Sequence, residues 1–209
     1  VEEDEPIPEN ALEAIYDQAI ASLKDANCVI LSDYGQGVVY DSGAERIAEQ
    51  AKKHNIPIIA DPKLTGLHRT HEVDWIIFQS RGFELMKRRI GEADDYTAAK
   101  SLIESYGWKH LVVLAGGNGV TIYSQNEDTV HAPCTLPQLR QVIGLIDAAV
   151  VAIAVSISNS FTVSDTALLT NAACECILGA EATDSFSLSR SMLIHRVGEI
   201  AWNLQVSKR

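Results

Sequence analysis

Four short apolar runs, 28-CVIL-31 at the head of 28-CVILSDYGQGVV-39, then 56-IPIIAD-61, 74-DWIIFQ-79 and 110-HLVVLA-115, limit what this chain can fold into more than any other feature. Each is too short for an ordinary helix. Each is also apolar on successive residues, so as a strand it needs cover on both faces. The stretches between them have helical spacing. Over 11–23, Leu12, Ile15, Ala19 and Leu23 make one apolar stripe, with Asn10 placed to cap it. Further helices are predicted over 42–54, 83–90 and 96–106, and Pro62 closes the second strand. Such alternation gives an α/β fold, a mostly parallel sheet with helices on both faces.

Beyond the fourth run, Gly116-Gly117-Asn118-Gly119 turns the chain into 120-VTIYS-124, and 128-DTVHA-132 is spaced to pair with it as a hairpin. The remainder reads as helix over 144–158, 163–178 and 188–206. A length of 209 residues suits one domain, 1–209, with an acidic, Pro-containing lead-in. In parallel sheets ligands sit at the carboxyl ends of strands, and Asp33, Asp61, Gln79 and Gly116 all fall there.

Charge narrows the function. With 28 acidic against 17 basic residues, a net charge of −11 speaks against a nucleic-acid surface. Lys87-Arg88-Arg89 reads as a solvated helix face. Cys28, Cys134, Cys174 and Cys176 form no C-x-x-C pair and no zinc pattern with the six histidines. They read as reduced thiols in a cytoplasmic or other reducing compartment, with no metal site expected. The apolar stretch 142–157 is short and carries Asp147, so it reads as a core helix rather than a membrane span.

Asp147 opens that helix, 147-DAAVVAIAVSIS-158, just after Gly144-Leu145-Ile146. A carboxylate at a helix start can take a proton from a substrate hydroxyl, while the unpaired amides beside it suit a phosphate. The plain alternative is a first-turn acid favoured by the helix dipole alone.

The element order, with Ser32-Asp33-Tyr34-Gly35-Gln36-Gly37-Val38, Asp61-Pro62-Lys63 and the Gly144…Asp147 turn, resembles the ribokinase-like carbohydrate kinases. The likeness is nearest to the heptose-7-phosphate kinase domain of ADP-heptose synthesis enzymes, and Asn171-Ala172-Ala173 matches that family's late helix. The resemblance implies a three-layer ribokinase-like core lacking the N-terminal strands and the β-lid. A protein partner, or the chain's own N-terminal segment, is then expected to cover the open sheet edge. It also implies that Asp147 stands at the catalytic base and that Gly144, Leu145 and Ile146 form the anion-hole turn. Asp33, Lys63, Gly119 and Asn171 become candidate substrate or nucleotide contacts, and ATP with Mg the cofactors of an active enzyme.

The same resemblance exposes departures. Leu145 and Ile146 stand where the family has Ala and Gly, and their bulk is expected to crowd a phosphate. Losing one preorganised donor costs on the order of 3 kcal/mol in the transition state. The N-x-x-E motif falls on Gln79-Ser80-Arg81-Gly82, with Glu84 as a nearby substitute, and T-R-x-E-x-G falls on Leu114–Gly119. The resulting expectation is a degenerate homologue, impaired in catalysis and serving as a scaffold or subunit without need of a cofactor. The alternative is an active ATP-dependent sugar or heptose-phosphate kinase, with Asp147 as base, completed by a further segment or chain.

Overall fold

The computed structural model describes residues 7–181, 187–200 and, for the backbone, 205–207. Its strands β1 (Val29–Ser32), β2 (Ile58–Asp61), β3 (Trp75–Gln79), β4 (His110–Leu114), β5 (Val120–Ser124), β6 (Thr129–Ala132) and β7 (Gln205–Ser207) lie side by side in chain order. The ladders from β1 to β4 are parallel, and those from β4 to β7 antiparallel. This is the α/β architecture expected from the apolar runs.

Strand parity sorts the core into two layers. Ile58, Ala60, Ile76, Phe78, Leu111 and Val113 point to one side. There they meet α2 (Asp41–His54), α3 (Ser80–Ile90) and α4 (Asp95–Tyr106) through Ala51, Phe83, Met86, Leu102 and Ile103. Ile59, Trp75, Ile77, Val112 and Leu114 point to the other. That side is covered by α5 (Leu145–Ser158) and α6 (Val163–Leu178) through Ala149, Ile153, Ala167 and Leu178. α1 (Glu9–Ser22) lies against α2, and α7 (Arg190–Ile200) against α6.

Two boundaries differ from expectation. α1 starts at Glu9 behind Pro8, whose carbonyl accepts from the amides of Ala11 and Leu12, so Asn10 lies inside the helix and caps nothing. The last helix is described over Arg190–Ile200, and Gln205–Ser207, where that helix is predicted to end, is instead β7 paired with β6. Residues 201–204 of the predicted helix lie outside the described residues. A long-range ladder outweighs local helical spacing there.

β1 is an edge. Its Val29 amide donates to Pro57 and the next residue past its end, Asp33, donates to Asp61. By the two-residue period, the backbone groups of Ile30 and Ser32 therefore face away from β2. Ile30 is 45% exposed, and Val151 and Val155 on α5 are exposed as well. Among the described residues no helix is long and apolar enough to cross a membrane. All four cysteines are free thiols.

Candidate active site

The ends of β1 and β2 meet the start of α5 at one point on the rim. Asp33, directly after β1, is only 8% exposed. Its Oδ1 accepts the Gly35 amide at 2.8 Å, and its Oδ2 accepts from Arg69 Nη1 at 3.2 Å. Arg69 also donates from Nε to Asp41 at 2.7 Å. Gly66 closes the third side: a Cβ there would lie 2.5 Å from Asp33 Oδ2. Asp33, expected as a ligand contact, is thus placed as the anchor of its loop.

The residue which that loop delivers to the rim is Tyr34. It is exposed, and its hydroxyl donates to Asp147 Oδ1 at 3.2 Å across a gap of 113 residues in sequence. Asp61, at the end of β2, receives the Ser32 hydroxyl at 3.5 Å. Burial pushes the Asp61 carboxyl above its ordinary value, and the negative charge of Asp147 pushes the same way. Ser32 and Lys63 oppose the rise. The Lys63 side chain is exposed with its stem beside Gly35, and its amine makes no hydrogen bond or ion pair with a described residue.

The turn before Asp147 is tighter than its sequence suggests. Gly144 alone has a left-handed backbone, with φ +81°, and Leu145 already begins α5. Leu145 is 5% exposed within the core under β2 and β3, and Ile146 is half-buried against the same cluster. The expectation that these side chains crowd a phosphate is corrected: helical geometry turns them into the core while Asp147 faces solvent. The Leu145 amide donates to Val142, whereas those of Ile146 and Asp147 meet no described partner.

Other candidates are absorbed by the fold. Gly119 has φ +89°, and a Cβ there would lie 2.1 Å from the Ala132 carbonyl, so it is a crossing point between strands. Asn171 is 1% exposed, and its Nδ2 donates to the Pro133 carbonyl at 3.1 Å and to Glu175 Oε1 at 3.2 Å. Gln79 ends β3, and beyond it Glu84 accepts from Lys87 at 2.7 Å, a lysine also held by Asp95 at 2.5 Å. Among the described residues no group of three or more His, Cys, Asp or Glu is arranged to hold a metal ion. Sequence reasoning missed Tyr34 and Arg69 as site residues. Tyr34 lies within the quoted loop motif, while Arg69 carried no signal.

Comparison with known proteins agrees with this architecture. The sequence model of the pfkB family carbohydrate kinases matches residues 7–189. The chain is 25% identical over 178 residues to the bifunctional protein HldE of Aliivibrio fischeri, covering 85% of this chain and 37% of that protein. With the HldE of Shewanella piezotolerans it shares 26% over 185 residues, covering 88% and 38%. Among solved structures, phosphofructokinase-2 from Escherichia coli in complex with fructose-6-phosphate superposes with a TM-score of 0.74 at 14% identity, covering 93% of this chain and 63% of that one. Arabidopsis thaliana ribokinase complexed with ribose and ATP gives 0.71 at 17%, covering 87% and 59%. The chain thus spans under two fifths of these curated relatives and under two thirds of these solved ones.

Proposed function

This chain belongs to the pfkB family of carbohydrate kinases, and we propose that it is an impaired member, a degenerate homologue serving as a scaffold or subunit of a larger assembly. The observation that carries this reading is the end of β3. Where the family resemblance calls for an Asn and a Glu around bound magnesium, the chain has Gln79 and Gly82. The nearest acid, Glu84, is held by Lys87, which is itself held by Asp95. With its charge offset by Lys87, Glu84 is a poor replacement for the missing magnesium-organising acid. On this reading neither ATP nor Mg is needed for the protein's role.

The edge strand supports the assembly half of the proposal. The backbone groups of Ile30 and Ser32 face outward from β1, and Ile30 itself is an exposed apolar side chain on a strongly acidic chain. Unpaired edge groups next to apolar surface favour cover by another strand. A partner chain or a further N-terminal segment of this one supplies that cover in our reading.

A second reading, an active sugar or heptose-phosphate kinase completed by such a segment, is favoured by one observation. Asp147 is solvent-facing at a helix start, with Leu145 and Ile146 turned into the core. In that role Asp147 takes the proton of a sugar hydroxyl as the oxygen becomes a nucleophile. A transfer assay with MgATP and heptose 7-phosphate or fructose 6-phosphate, run on the chain together with the segment or partner chain that completes it, decides between the two. The first reading expects turnover no higher than that of Asp147→Asn. Turnover that Asp147→Asn abolishes overturns it in favour of the second.

A further inference from the structure

We propose that Tyr34 is a positioning residue for Asp147, carried to it by a loop that the part-buried Asp33–Arg69 pair fixes in place. This rests on Asp147 as the group that faces an acceptor hydroxyl, but the contact itself is independent of turnover. Three observations join into one path. Arg69, with a side chain 24% exposed, bonds Asp33, whose side chain is 6% exposed. Asp33 then takes the Gly35 amide, closing a short turn that holds Tyr34 between two fixed backbone points. Tyr34 in turn donates its hydroxyl to Asp147 Oδ1.

The chemical consequence lies in which oxygen remains free. A phenol donating to Oδ1 sets the carboxylate's rotation and leaves Oδ2 to receive a proton. The contact also spans two layers of the molecule, tying the end of β1 to the start of α5. Orientation of this kind is worth rate rather than affinity, because it acts on the geometry of transfer.

The test uses Tyr34→Phe, which keeps the ring and removes only the hydroxyl. With carboxyl-labelled aspartate, the Asp147 resonance, identified by its loss in Asp147→Asn, is compared at one fixed pH. We expect it to be displaced in Tyr34→Phe, and to be displaced or broadened in Arg69→Met, where the loop loses its anchor. An unmoved resonance in Tyr34→Phe overturns the proposal. Failure of the completed wild-type protein to transfer phosphate rejects only the active-kinase reading, since it leaves that resonance readable. Where transfer is measurable, kcat falls roughly tenfold in Tyr34→Phe with both KM values unchanged. A rise in KM alone contradicts positioning.

Discussion

Arg196 on α7 sets its Nε 2.5 Å from Oε2 of Glu175 on α6, and the Glu175 side chain has no solvent exposure. The amide of Thr135 adds a bond at 2.6 Å to the other carboxylate oxygen. This pair fastens the C-terminal helix to the layer behind the sheet. A buried carboxylate stripped of its cation costs about 3–5 kcal/mol. Arg196→Met is therefore expected to lose about 3 kcal/mol in urea unfolding. Adding Glu175→Gln should recover part of that loss, and equal stability of single and double variants contradicts the account.

Gly66 and Gly37 provide a contrast between crowding and backbone strain. A Cβ on Gly66 meets Asp33 Oδ2 at 2.5 Å and Arg69 Nη1 at 2.9 Å, whereas one on Gly37 meets nothing within 4 Å but carries φ +82°. Gly66→Ala should cost about 1–3 kcal/mol by forcing the ion pair apart. Gly37→Ala should cost about 1 kcal/mol from its left-handed backbone. The two are separated by adding Arg69→Met, which removes the contact with Nη1 and should lessen the first while leaving the second unchanged.

Asp61 makes stability depend on pH in a definite direction. Burial first, then the charge of Asp147, raises its carboxyl above the ordinary 3.8. The folded protein thus holds this proton more tightly than the unfolded chain does. The stabilisation it provides is complete below the unfolded value and lost as pH rises through the folded one. Asp61→Asn should therefore gain on the wild type as pH climbs from about 4 to 7. Asp147→Asn should bring the Asp61 titration down, and an unmoved midpoint would break the link between the two carboxylates.

Much of the fold was legible because burial on both faces leaves a plain mark. Ile58-Ile59-Ala60 and Trp75-Ile76-Ile77-Phe78 are unbroken apolar runs, and the structure sends alternate members to opposite layers. The site was less legible for two physical reasons. Leu145 looked like an obstruction when compared with a glycine-rich turn. Yet Leu145, Ala149 and Ile153 are spaced by four and share the core face, while Asp147, Val151 and Val155 share the exposed one. That helical spacing was available in the sequence. The role of Asp33 was not, because its partner Arg69 lies 36 residues away and is brought in by the short helix Leu64–Thr70. β7 was hidden for the same reason, since only a distant ladder defines it.

His110 titrates against the fold in the opposite sense to Asp61. It stacks on Trp75 with ring centroids 4.0 Å apart, and its Nδ1 lies 2.9 Å from the Ser124 hydroxyl. Burial lowers its pKa from 6.5 to about 4. The unfolded chain then binds more protons over that interval, so stability attributable to His110 is present above about 6.5 and falls as pH drops toward 4. A proton NMR titration should place its midpoint near 4. A midpoint close to 6.5 contradicts the burial of this ring.

Impairment of the nucleotide site is tested most directly by thermal unfolding of the wild-type chain across a MgATP titration, with Asp147→Asn alongside. A ligand at 100 times its Kd stabilises a fold by about 2.7 kcal/mol, well within reach of the method. The account predicts an unfolding midpoint that stays flat to millimolar MgATP in both proteins. A saturable rise in the wild-type midpoint would contradict it and establish a working nucleotide site.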